Sequence, residues 1–160
     1  MKTYYLAALL LLLAPFSVSG NEPATASPAT PSSEGATVSI VSPADGDVVA
    51  SPFLVKFMVS GMGIAPAGSK IDNTGHHHLL IDVDELPPMD QPLPATDQIL
   101  HFGKGQTETE LTLPPGQHSL QLVFADYAHR PHDPPVISEK IVITVSNDAP
   151  AAPADDDSGQ

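Results

Sequence analysis

Apolar residues fall in short runs broken by proline and glycine, and no stretch carries them at every third or fourth position for the length of a helix. Runs rich in Val, Ile, Leu, Phe and Thr predict strands over 37–41, 53–60, 77–83, 98–102, 107–113, 118–125 and 136–145. About seven strands in about 110 residues is the scale of an immunoglobulin-like antiparallel β-sandwich, so the expected fold class is all-β. Ser42-Pro43-Ala44-Asp45-Gly46 and Leu113-Pro114-Pro115-Gly116 pair a fixed proline φ with a permissive glycine, as turns require. Residues 84–97 hold Pro87, Pro88, Pro92 and Pro94, which lack ladder donors, and are expected to cross between the sheets as a loop.

Strand alternation then assigns faces. His77, Leu79, Ile81 and Val83 share one side of their strand, and His76, His78, Leu80 and Asp82 share the other. The first set reads as the core side, which makes His77 a capped or hydrogen-bonded histidine at the core's edge. His76 and His78 are left as two imidazoles on one face, within chelating reach of one ion. His118 has the inward parity of Leu120 and Leu122 and reads as structural, in the place where such sandwiches often set a tyrosine that bonds the preceding corner. Met58 reads as a core residue and is left out of any site. Gly103-Lys104-Gly105 reads as a hairpin loop, with Lys104 as a secondary candidate contact for a carboxylate or sulfated ligand.

The fold brings distant histidines together. In an immunoglobulin-like sandwich the second-to-third, fourth-to-fifth and sixth-to-seventh connections gather at one end. That places His76, His78, His101, His129 and His132 at a single pole, the last two as loop residues, and these five are the expected metal ligands. Asp72, Asp82 and Asp126 are available as carboxylates that orient the rings. An imidazole set without thiolate suits copper or zinc better than calcium or magnesium, with copper the first choice. Without a metal, the same pole is a surface that gains charge as the medium acidifies.

Composition narrows the function. With no cysteine there is no disulfide framework, thiolate zinc site or cysteine nucleophile. Nineteen acidic against six basic side chains give a net charge of -13, which excludes nucleic acid and anionic lipid as expected partners. Met1-Lys2, the apolar run Leu6 to Pro15 and the small residues through Gly20 predict a cleaved signal peptide over 1–20, since the run is shorter than the roughly 20 residues of a membrane span. The expected location is periplasmic or secreted, with no stable membrane insertion after cleavage. Residues 21–36, rich in Pro, Ala, Ser and Thr, are expected to be a disordered linker, 37–146 the folded domain, and 147–160 a disordered acidic tail. Gly61-Met62-Gly63 fails as a dinucleotide loop because Pro66 replaces its third glycine, Ser69-Lys70 reverses a phosphate loop's ending, and there is no Gly-x-Ser-x-Gly elbow.

Gly75-His76-His77-His78-Leu79-Leu80-Ile81-Asp82, His101-Phe102-Gly103-Lys104-Gly105-Gln106-Thr107-Glu108 and Pro115-Gly116-Gln117-His118-Ser119-Leu120-Gln121-Leu122 together resemble a bacterial exported family, domain of unknown function 4399. The resemblance covers about residues 55 to 146, and Asp126 to Pro135 is similar to the family's last histidine-bearing loop. It implies an exported bacterial domain and transfers no catalytic residue. The expected function is that of an exported, non-enzymatic domain whose histidine pole binds a transition metal for storage, delivery or tolerance. The alternative is a metal-free interaction module that contacts a periplasmic protein or a cell-envelope polymer. A metal-dependent enzyme ranks third, since it needs an open coordination position and a base.

Overall fold

Two sheets stack face to face in the computed structural model, which describes residues 29–149. The expected signal peptide, residues 21–28 of the linker and the tail beyond Ala149 lie outside the described residues. The elements in chain order are β1 (Thr37–Ser42), β2 (Val48–Val49), β3 (Phe53–Ser60), β4 (Gly63–Ile64), β5 (Thr74–Ile81), β6 (Ile99–His101), β7 (Glu108–Leu111), β8 (Gly116–Ala125), β9 (Pro131–Ile137) and β10 (Ile141–Val145). The smaller sheet runs β1-β3-β7. The larger runs β2-β10-β8-β5-β4, with β6 also paired to β5 and β9 also paired to β8. Setting β1, β3 and β7 against β10, β8, β5 and β6 is the strand partition of an immunoglobulin-type sandwich. Among the described residues there is no helix, and so none long and apolar enough to cross a membrane.

The inner faces meet in one core. β3 gives Phe53, Val55 and Phe57, β5 gives Leu79 and Ile81, β8 gives Leu120, Leu122 and Phe124, and β10 gives Ile143 and Val145. Each such side chain taken from water contributes about 1.5–3 kcal/mol, which is the main force holding the layers together. Met58 departs from expectation. It lies on the solvent side of β3, 53% exposed, because Phe53, Val55 and Phe57 take the inward parity.

β5 is buried on both faces, and the cover on its outer face comes from the proline-rich stretch. That stretch does not cross between sheets as expected. It leaves β5 and returns through β6 to the edge of β5 itself, with Leu79 opposite Leu100. On the way Leu93 packs with Leu80, Ile99, Val123 and Ala125 in a second apolar cluster over the larger sheet. The crossing between sheets falls instead at residues 102–107. Gly103-Lys104-Gly105 therefore joins β6 of one sheet to β7 of the other rather than closing a hairpin.

Two further expectations are revised. The run 136–145 is two strands, and residues from Pro131 onward, expected as loop, form β9 beside β8. A bulge absorbs the prolines, since Phe124 faces Val136 while Ala125 faces Pro131. The segment 29–36, expected within the linker, lies along β9. The Ser32 amide donates to the Asp133 carbonyl and the Asp133 amide to the Thr30 carbonyl. Backbone pairing of this kind needs no large side chain, so its composition concealed it.

Candidate metal centre

β5 carries three consecutive histidines into the interior. His76 and His77 are 0% and His78 is 2% exposed. Alternation separates them as expected. The ring of His77 lies in the core, with centroids 4.8 Å from Phe57 and 5.1 Å from Phe124. His76 and His78 project from the outer face, with ring centroids 4.8 Å apart. His77 is not the hydrogen-bonded histidine expected. Neither ring nitrogen makes a hydrogen bond of good geometry, and burial pushes its pKa down to about 4, with the Gln106 backbone offsetting part of that loss.

The ladder delivers the third ring. His101 stands directly opposite His78 across the β5–β6 pair. Nitrogen atoms of His76, His78 and His101 all lie within 4.8 Å of one another. An ion bonded to nitrogen at about 2.0–2.1 Å holds tetrahedral ligands about 3.4 Å apart, so ring rotations on the order of 1 Å close the set. His129 arrives from the β8–β9 turn and completes a ring of four imidazoles. Its centroid is 4.6 Å from His101, 5.1 Å from His76 and 6.0 Å from His78.

The electrostatics favour neutral rings. Burial, followed by the neighbouring His101 and His129, lowers the pKa of His76 to about 4. Burial, followed by His76, His101 and His129, lowers that of His78 to about 3. His101 is lowered as well, first by burial and then by His129. Neutral imidazoles keep the lone pairs that a metal needs. Both ring nitrogens of His76 and Nδ1 of His78 are buried without a hydrogen-bond partner. Buried polar atoms are ordinarily paired, so these nitrogens are exceptions to the rule.

His129 is placed by Asp126. One carboxylate oxygen, Oδ1, accepts the amides of Ala128 at 2.8 Å and Arg130 at 3.0 Å, and the His129 amide donates to the Asp126 carbonyl at 2.9 Å. These bonds hold His129 at φ 64°, a left-handed conformation that points its ring toward β5 and β6. The covering loop is fastened to the same residue, since the Leu93 amide donates to the His129 carbonyl at 2.8 Å. Between them lies a cavity of about 190 Å³ lined by His78, His101, His129, Pro92, Leu93, Pro94 and Ala95.

The fifth expected ligand is elsewhere. His132 lies on β9, and its ring stacks on Phe124 of the inner core at 5.9 Å, on the opposite side of the sheet from His76 and His78. Its Nδ1 is 3.0 Å from the Thr30 hydroxyl, which donates to Asp126 Oδ2 at 3.1 Å. Burial lowers its pKa. The loop expectation failed here because the bulge in β9 turns this residue inward. The other four gather where β8 and β6 finish and β5 begins. They lie on the outer face of the larger sheet, beneath the 82–98 loop.

Of the three candidate carboxylates only Asp126 serves the cluster. Asp82 instead accepts His118 Nδ1 at 2.7 Å and the Ser119 amide at 2.8 Å, while His118 Nε2 reaches the Pro114 carbonyl at 2.9 Å. That is the corner-holding role expected of His118. Asp72 lines a separate cleft with Lys70, Tyr127 and His132. Sequence reasoning passed over Leu93 and took Gly103 only as a turn residue. The lone leucine between Pro92 and Pro94 was the available signal for a covering loop. Gly103 stands so close beneath the His101 ring that a Cβ there would collide with its Cε1 and Nε2.

A family model described as Domain of unknown function (DUF4399) matches residues 55–146, a span that holds all four clustered histidines. No curated protein and no solved structure matches the chain.

Proposed function

The chain belongs to the family of domain of unknown function 4399, and on that premise we propose that it is an exported, non-enzymatic module that binds one copper or zinc ion. His76, His78 and His101 hold the ion, and His129 borders the adjoining cavity. The observation that carries this reading is the convergence of three imidazoles on one point with buried ring nitrogens left unpaired. An ion supplies the missing partner, and the low pKa values of His76 and His78 mean that few protons compete for those nitrogens at neutral pH. The leader-like N-terminus supports export, and an all-imidazole set supports copper or zinc over harder cations.

Metal analysis of protein purified without an affinity tag, followed by Cu²⁺ and Zn²⁺ titrations, tests the proposal. Wild type is expected to take up one equivalent with submicromolar affinity, and His76→Ala/His78→Ala to lose it. Unchanged binding in the double variant, or binding no tighter than micromolar in wild type, rejects the site.

A further inference from the structure

The cavity beside the histidines is larger than an ion requires. A single water needs about 10–15 Å³ of such space, whereas this chamber offers about 190 Å³. Its walls divide sharply: His78, His101 and His129 on one side, Pro92, Leu93, Pro94 and Ala95 on the other. No carboxylate and no cationic side chain lines it. Three neutral imidazoles leave a divalent ion with its full charge, facing a cavity that opens to solvent past His101, Pro94 and Ala95. An anion bound to the ion from the cavity side offsets that charge at short range.

Resting on the metal-site reading above, we propose that the centre keeps an open coordination position facing this chamber and takes there a small monoanion that bonds the metal through one nitrogen or oxygen atom. The apolar wall accommodates the remainder of the ligand and disfavours a second charge. His129 is the contact for that ligand rather than for the metal. Its ring borders the chamber yet falls outside the trio whose nitrogens lie within 4.8 Å of one another. The arrangement of three protein ligands and one exchangeable position is the one by which metal sites admit outside molecules. The ligand is bound and released without any bond within it being broken.

The test uses azide as the monodentate anion and the full mature chain loaded with one equivalent of Cu²⁺, followed by the charge-transfer absorption that azide gives on binding copper. Saturable 1:1 azide binding is expected. Ala95→Phe, which fills the chamber from the covering loop, and His129→Asn, which keeps a residue tolerant of positive φ, are both expected to retain the copper. Each should weaken azide about tenfold or more, the scale of one hydrogen bond to a charged group. Copper binding without azide binding overturns this inference and leaves the metal proposal standing. Loss of copper in His129→Asn overturns it by making His129 a ligand. Failure of wild type to bind copper defeats both. Azide affinity unchanged in both variants places the anion outside the chamber and also overturns it.

Discussion

At position 103 a single hydrogen atom in place of a side chain decides where an imidazole can lie. The His101 ring occupies the space that a Cβ would take, and the atoms it would strike are at the mobile end of a side chain rather than in the backbone. Gly103→Ala is therefore expected to leave the sandwich folded and to push His101 out of the trio. Metal affinity should fall about tenfold or more, the scale of losing one well-placed ligand contact, while the circular dichroism spectrum and urea midpoint stay near wild type. Equal affinities in the two proteins would show that His101 is not needed. Gly75 works differently, since a Cβ there would meet the Ala125 carbonyl, and the His132 Nε2 at 2.9 Å. Backbone cannot move aside as a ring can, so a side chain at 75 disturbs the β5–β8 pairing itself.

Among the elements, β5 and β8 organise both the histidine centre and its mechanical support. At one end of this pair His76 faces Ala125, next to the Asp126 turn; at the other Ile81 faces Leu120, next to the His118–Asp82 bridge. Burial works against a charge on His118, but its hydrogen bonds to Asp82 and the Pro114 carbonyl, with the Asp82 charge, outweigh burial and raise its pKa. A histidine whose folded pKa exceeds its unfolded value lends stability that is fully present below the unfolded pKa and is lost as pH rises through the folded one. His118→Gln should accordingly cost more stability at about pH 5.5 than at about pH 9. Urea unfolding at the two pH values measures this, and a larger cost on the alkaline side would contradict it. The alternation that sets His76 and His78 apart from His77 was legible in the sequence, because a period of two needs no tertiary information. The meeting of His78 with His101 was legible only through the assumed sandwich. The inward turn of His132 was not, because it depends on a bulge among prolines whose pairing is set by β8. The burial of His76 and His78 was hidden too, since the loop that carries Leu93 folds back across their side of the sheet.

Over the whole molecule, the segment before β1 is tied to the turn that presents His129. Thr30 touches both His132 and Asp126, and Asp126 in turn fixes the 126–130 turn. Thr30→Val removes a hydroxyl that serves two buried partners and is expected to cost about 1–2 kcal/mol in urea unfolding. Faster amide exchange at residues 128–130 should accompany it. Undiminished stability and protection would assign Thr30 no part in holding the turn. The same economy of contacts governs the histidine cluster, where three buried imidazole nitrogens, both on His76 and Nδ1 on His78, have no hydrogen-bond partner. If the proposed ion binds there, thermal endurance and ion affinity draw on one set of atoms and pull against each other. Laboratory evolution for heat resistance alone, in medium stripped of metal, would exchange those rings for leucine and phenylalanine first, leaving a sturdier sandwich with its chemistry erased.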